Sequence, residues 1–245
     1  MGVAVGVVLA AGMGSRVGAD GNKAYLQLSG RSMLVWPVAT LTQVPEVGRI
    51  VLVFRRGEAE LARDCMRREL PGARIEFVEG GDTRHGSEFN VLDYLAQDVE
   101  SGAVDVIAVH DAARPLAGPD MFATAIALAR RFGGALPALP ITGLARQGAT
   151  GLEPVPDRGH LVRVQTPQAF RADDLLRAYR RADADGFEGT DTSSCVERYT
   201  DIAVRTFPGS ATNLKVTYAR DIAVAQHLLD NRGLVSDRAD RPAPR

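Results

Sequence analysis

Short apolar runs recur along the chain, separated by longer stretches in which apolar residues return every three or four positions. The runs at 3–9, 49–54, 74–78, 104–109 and 134–138 predict buried strands. Several are almost continuously apolar, as expected of parallel strands covered on both faces. The intervening stretches 32–43, 58–70, 83–96 and 119–132 predict helices. Ser32 suits an N-cap and Pro119 a first helical turn, whereas Pro37 predicts a bend or a later start. This alternation predicts an α/β fold, a single Rossmann-like α/β/α sandwich with a mainly parallel sheet.

The rhythm breaks at 140–160. Residues 142–158 are rich in Gly and Pro with little apolar periodicity, and a polar-alternating run follows at 161–165. Such a segment predicts a protruding β-arm of the kind that meets another subunit, the alternative being a surface loop. Beyond it, the pattern predicts helices at 172–182 and 191–199, a strand at 202–207 and a last helix at 219–229. From 231 onward, charge, Gly and two prolines predict a flexible end. The expected organisation is one domain over 1–232, including the arm, with a tail at 233–245.

A chain of 245 residues can bury a sizeable core without disulfides or metals. Hydrophobic residues make up 45% and charged residues 24%, with a net charge of −1. Those values exclude a disordered chain, a collagen and a coiled coil, and the missing basic excess argues against coating nucleic acid. Cys65 and Cys195 form no CxxC pair. With His85, His110, His160 and His227 they make no zinc spacing. So few cysteines predict a reducing, cytoplasmic setting. The apolar stretch 3–11 has no Lys or Arg before it and falls well short of the roughly 20 residues that span a bilayer. It reads as a buried strand, and no membrane partner is expected.

Candidate chemistry begins where the first strand ends, in Leu9-Ala10-Ala11-Gly12-Met13-Gly14-Ser15-Arg16. Small residues after a first strand let backbone N–H groups approach ligand oxygens. Val17 occupies the last position of a dinucleotide fingerprint, which therefore fails, and no P-loop is present. A small-residue turn followed by Arg16 and Lys23 suits a triphosphate. Asp111 follows a strand, at the edge where α/β proteins bind ligands, and suits either Mg²⁺ or a turn cap.

The Ala-Ala-Gly-x-Gly-x-Arg turn with its following Lys resembles the nucleotidyltransferases that activate sugar phosphates. Further segments narrow the likeness: Gly80-Gly81-Asp82-Thr83-Arg84 with Ser87, His110-Asp111-Ala112-Ala113-Arg114-Pro115, Gln165-Thr166-Pro167-Gln168-Ala169-Phe170, Thr190-Asp191, and Asn213-Leu214-Lys215-Val216-Thr217. In this order they resemble the 2-C-methyl-D-erythritol 4-phosphate cytidylyltransferase family over roughly residues 3–230. The resemblance implies that Ala10, Ala11, Gly12 and Gly14 wrap the CTP phosphates. It implies that Gly81, Asp82 and Ser87 hold the cytosine, and that Ala112, Thr166 and Thr190 complete the substrate-binding set. Arg16 and Lys23 would stabilise charge around the α-phosphorus. Arg158 and Lys215, helped by Arg114, would aim the acceptor phosphate, and Asp111 would hold Mg²⁺. A homodimer through the arm is also implied. No base is needed, because the attacking phosphate oxygen is already ionised, so His110 is expected to pack or hydrogen-bond.

The match departs from the family at Leu9 and Asn22, where the family has Pro, and at Gly143-Leu144-Ala145-Arg146, which lacks the family's hydroxyl and acid. The CTP half is retained. The acceptor stays open between methylerythritol phosphate and another polyol phosphate such as ribitol 5-phosphate, and a non-catalytic nucleotide-binding paralogue is the third reading.

Overall fold

The computed structural model describes residues 2–12, 22–141, 145–148, 151–154 and 161–231. The chain enters through β1 (Val3–Leu9) and forms a short 3₁₀ turn, Lys23–Tyr25. A small hairpin follows, β2 (Gln27–Leu28) with β3 (Arg31–Ser32). Next come α1 (Val35–Leu41), β4 (Val47–Phe54), α2 (Ala59–Glu69), β5 (Glu76–Glu79), α3 (Arg84–Tyr94), α4 (Ala96–Glu100), β6 (Val104–Asp111), α5 (Pro119–Phe132) and β7 (Gly134–Pro140). A ribbon of β8 (Ala145–Gly148) and β9 (Gly151–Pro154) pairs antiparallel. The chain continues through β10 (Val162–Val164), β11 (Gln168–Arg171), α6 (Ala172–Ala184), α7 (Thr192–Tyr199), β12 (Arg205–Pro208) and α8 (Ala219–Asp230).

In the main sheet β1 lies between β4 and β6, parallel to both, with β5 parallel beyond β4. On the other side, β11 runs antiparallel between β6 and β7. β10 lies antiparallel along the far end of β7, and β12 pairs parallel with β7 from the opposite side. The sheet is thus mixed and mainly parallel, as the alternation predicts.

Strand alternation makes the layers. Ala4 and Val8 of β1, Ile50 and Leu52 of β4, and Val106 and Ala108 of β6 bury against α1, α2 and α5. Their neighbours Val5, Val7, Val51, Val53, Ile107 and Val109 bury on the other face with α3, α4, α6 and α7. Continuous apolar runs are therefore what a sheet covered on both sides requires. A smaller cluster of Leu28, Met33, Ala113, Leu116, Val216, Ala225 and Leu229 seats α8 against the β2–β3 hairpin. Among the described residues, no helix is long and apolar enough to cross a membrane.

Several expectations need correction. Ser32 is no N-cap: its N–H and hydroxyl both donate to the Glu69 carboxylate, at 2.6 and 2.7 Å, so it stays in β3. The helix starts at Val35, which leaves Pro37 in the first turn, where its missing N–H costs nothing. The expected single helix 83–96 is two, broken at Leu95. Val91, Leu92, Leu95, Ala96 and Val99 are all buried, so the apolar period runs through the break and conceals it. The strand expected at 202–207 starts only at Arg205, and β11 was not anticipated.

Candidate active site

A cleft of about 620 Å³ opens at the carboxyl ends of the parallel strands. Seven chain segments line it: Leu9–Gly12, Asn22–Ala24, Met33, Arg55–Arg56, Gly80–Arg84 with Ser87, Asp111–Ala113, and Lys215.

Backbone bonds splice these segments together. The Ala10 N–H donates to Val53 O at 2.8 Å, and the Ala112 N–H to Leu9 O at 3.0 Å. Asn22 Nδ2 donates to Ala10 O and to Glu58 Oε2, both at 2.8 Å, and its Oδ1 accepts from the Ala24 N–H at 3.0 Å. Asn22 thereby fixes the turn that carries Lys23, a task a proline could not perform, having no such side-chain groups. Gly80 and Gly81 are dictated by close approach: a Cβ on Gly80 would lie 2.5 Å from Ala11 Cβ, and one on Gly81 would lie 2.8 Å from the Gly86 backbone. Ser87 closes the loop, accepting from the Gly81 N–H at 3.1 Å and donating to Thr83 O at 2.9 Å. At Gly12 a Cβ would meet nothing within 4 Å among the described residues.

Asp111 ends β6, 5% exposed, with cations on both oxygens. Arg84 Nη1 donates to Oδ1; Lys215 Nζ sits 2.8 Å and Arg114 Nε 3.7 Å from Oδ2. Burial alone would push this carboxyl up, but Arg84, Lys215 and Arg114 outweigh it and hold it well below the usual carboxylate range. Lys23 Nζ donates to Val216 O at 3.1 Å, so the first lysine meets the segment that carries the second. That segment is held by the Val216 N–H on Ala113 O, at 2.8 Å, and by Arg114 Nη1 on Asn213 O, at 2.8 Å.

Behind Asp111 lies a buried relay. The Asp111 N–H donates to Thr166 Oγ1 at 3.1 Å, Thr166 Oγ1 is 3.0 Å from His110 Nδ1, and His110 Nε2 is 3.0 Å from Arg114 O. These partners assign the hydrogen to Nε2, with Nδ1 accepting from the hydroxyl. Burial pushes the imidazole down to about 4, so His110 is neutral and structural. A second carboxylate, Glu88, is 3% exposed. It accepts hydrogen bonds from Tyr179 Oη and, at 2.8 Å, from Thr192 Oγ1. Burial raises its carboxyl, and Arg84 opposes the rise.

Of the residues expected from sequence, Ala10, Ala11, Gly12, Lys23, Gly81, Asp82, Ser87, Asp111, Ala112 and Lys215 share the cleft wall. Arg114 stands beside Asp111 without lining the wall. Thr166 is buried behind it, and Thr190 is exposed, immediately before the helix-capping Asp191. Gly14, Arg16 and Arg158 lie outside the described residues. Sequence reasoning missed Asn22, which it read only as a departure, and assigned no role to Arg84 or Glu88. Arg84 stood within the quoted Gly-Gly motif, whereas a lone Glu in a helix carries no signal of its partners.

A divalent cation fits this site in one way. Among the described residues no three His, Cys, Asp or Glu gather, so no protein cage exists. Asp111 offers carboxylate oxygens at the cleft wall, but Arg84 engages Oδ1 and Lys215 engages Oδ2, so a cation would reach it only by displacing Lys215 and would take most of its ligands from water and a phosphorylated substrate.

Comparison with known proteins agrees with this geometry. A family model described as "IspD: 2-C-methyl-D-erythritol 4-phosphate cytidylyltransferase" matches residues 4–231. A 2-C-methyl-D-erythritol 4-phosphate cytidylyltransferase from Solibacter usitatus is 37% identical over 238 residues, covering 92% of this chain and 95% of the relative. One from Symbiobacterium thermophilum is 38% identical over 226 residues, covering 91% and 92%. The crystal structure of 4-diphosphocytidyl-2C-methyl-D-erythritol synthase from Anaerococcus prevotii superposes with a TM-score of 0.79 at 25% identity, covering 94% of this chain and 96% of that one.

Proposed function

The chain belongs to the family of 2-C-methyl-D-erythritol 4-phosphate cytidylyltransferases, and from that premise we propose how its cleft performs the reaction. The enzyme is a CTP-dependent nucleotidyltransferase. It transfers a cytidylyl group from CTP to 2-C-methyl-D-erythritol 4-phosphate, in isoprenoid precursor synthesis. An oxygen of the acceptor phosphate attacks the α-phosphorus of CTP. A new P–O bond forms, the bond from the α-phosphorus to the oxygen bridging to the β-phosphorus breaks, and pyrophosphate leaves with that electron pair.

Both reactants are polyanions, and two unit charges 4 Å apart repel by about 4 kcal/mol at an effective dielectric of 20. Catalysis here is charge compensation and alignment rather than proton removal. The observation that carries this reading is the convergence of Lys23 and Lys215 on one cleft wall, with the small-residue turn Ala10–Gly12 beside them. In this reading the turn's amides hold the triphosphate, and its small side chains let it approach. Gly81, Asp82 and Ser87 face the cytosine. Lys23 compensates charge at the α-phosphorus, together with Arg16. Lys215 and Arg114 hold the acceptor phosphate, together with Arg158. Thr166 and Thr190 act at the margin of the site, Thr166 by fixing the Asp111 amide. A divalent cation such as Mg²⁺ would be held by Asp111 together with the phosphates, and would supply charge neutralisation there. We assign the enzyme to the cytoplasm, a setting that Cys65 and Cys195, both free buried thiols, support. We also assign it a homodimeric state through the arm.

A pyrophosphate-release assay tests the reading, run with CTP, UTP and ATP against methylerythritol phosphate and ribitol 5-phosphate. Release is expected with CTP and methylerythritol phosphate. Turnover confined to ribitol 5-phosphate, or CTP binding without release, would overturn it.

A further inference from the structure

Among the described residues, the cations that line the cleft are Lys23, Arg55, Arg56, Arg84 and Lys215. All but one have protein partners. Arg84 and Lys215 pair with Asp111, and Lys23 donates to Val216 O. Arg56 Nε lies 3.2 Å from Glu79 Oε1, and its Nη1 lies 3.8 Å from Asp82 Oδ1. The half-buried Arg55 is the exception: among the described residues its guanidinium has no hydrogen bond and no ion pair.

Its backbone is nonetheless held on both sides. The Phe54 carbonyl before it accepts from the Gly80 N–H at 2.8 Å. The Glu58 N–H donates to Arg55 O at 2.9 Å, closing a turn over Gly57, whose φ of 82° favours glycine. Glu58 in turn accepts from Asn22 Nδ2 at 2.8 Å, which ties this turn to the one that carries Lys23. A guanidinium fixed in a cleft wall and given no anion by the protein suits an anionic ligand.

Its place in the sheet says which part of the ligand. β1 lies between β4 and β6, so the end of β4 stands two strand spacings, about 10 Å, from Asp111 and from the Lys215 paired with it. The attacked phosphorus belongs at the Lys23–Lys215 end. Arg55 faces the same polyanion from the other side of the Ala10–Gly12 turn, and the neutral base would gain less from a cation than the outer phosphates do. We propose that Arg55 is a further substrate-binding residue that engages the β- and γ-phosphates of CTP, the part that departs as pyrophosphate. This inference rests on the reading of the cleft as the CTP site.

Calorimetric titration with CTP and with CMP, in one buffer, measures what the outer phosphates add to affinity. Arg55→Gln is expected to fold as wild type does, since that side chain has no polar contact to lose among the described residues. It is expected to lower CTP affinity by about tenfold, the scale of one hydrogen bond to a charged group, and to leave CMP affinity within about twofold. In turnover it is expected to raise the KM for CTP and to leave the KM for the acceptor within about twofold. Arg56→Gln removes the same charge from the same turn, but one that Glu79 and Asp82 already meet. It is expected to change the CTP-to-CMP affinity ratio by less than about twofold.

Unchanged CTP affinity in Arg55→Gln, an equal loss for CTP and CMP, or a rise in the acceptor KM instead overturns the inference while leaving the cleft as the CTP site. So does an Arg56→Gln ratio change as large as that of Arg55→Gln, which would mark a long-range field rather than a contact. A wild-type protein that binds neither nucleotide overturns the reading of the cleft, and this inference with it.

Discussion

His110 sits one residue from the carboxylate at the centre of the site, yet its two ring nitrogens are spent on Thr166 and on the Arg114 carbonyl. Its neutrality has a consequence for stability. The imidazole falls to about 4 in the folded chain, from an ordinary value of 6.5. Between those values the unfolded chain takes up a proton that the folded chain refuses. The stabilisation is therefore complete above pH 6.5 and is lost as pH falls toward 4, amounting to about 3 kcal/mol over the whole window. Asp111 adds loss in the same direction, but only below the ordinary carboxylate range, because its own value is depressed. Urea unfolding at pH 7.5 and pH 4.5 is expected to show wild type losing about 2–3 kcal/mol more than His110→Gln, which cannot titrate. Equal losses in the two proteins would show that another group carries the acid sensitivity. Much of this chemistry was legible in the sequence: a base is superfluous when the nucleophile is a phosphate oxygen, so the histidine could be set aside as structural. What it hydrogen-bonds could not be read, because Thr166 lies 56 residues away in sequence and meets it only through the β6–β11 pairing.

At the scale of elements, α7 shows how a short helix serves the site. Asp191 caps it, with Oδ1 accepting from the Ser194 N–H at 3.0 Å and Oδ2 accepting from Gln168 Nε2 at 2.9 Å. The Ser194 hydroxyl accepts in turn from the Asp191 N–H at 3.3 Å. This cap fixes Thr190 before it and Thr192 after it, and Thr192 holds Glu88. Asp191→Ala is expected to cost about 1–2 kcal/mol in urea unfolding, with Asp191→Asn recovering most of that. A variant as stable as wild type would mean that the Ser193 N–H, which donates to Gln168 Oε1 at 3.1 Å, holds the helix start without the cap. Elements with their own punctuation were legible: α5 runs from Pro119 to Phe132 as its periodicity predicts. Those defined by a distant partner were not. β11 is four residues, Gln-Ala-Phe-Arg, and is a strand only because β6 and β7 flank it. The β2–β3 hairpin is too short to show a period, and it exists because Glu69 and α8 receive it.

For the molecule as a whole, the three-layer sheet places Asp111, the Ala10–Gly12 turn and the Gly80–Arg84 loop at one end of neighbouring parallel strands, which brings positions distant in sequence to one cleft. The sandwich was legible because a sheet covered on both faces imposes continuous apolar runs. The assembly state leaves no comparable mark. The β8–β9 ribbon pairs with itself among the described residues, in a separate two-stranded sheet. If this arm delivers Arg158 to the acceptor site of a second copy, each active site of a two-fold dimer draws Lys23 from one subunit and Arg158 from the other. Lys23→Ala and Arg158→Ala homodimers would then each be deficient at both sites: the first by about 10²-fold in kcat, the second at limiting acceptor. When the two variants are unfolded together and refolded, a mixed dimer carries both substitutions in one site and neither in the other. Random pairing makes half the dimers mixed, so activity is expected to return to about a quarter of wild type. Were Arg158 to serve its own subunit, every site in every dimer would hold one lesion, and mixing would restore nothing.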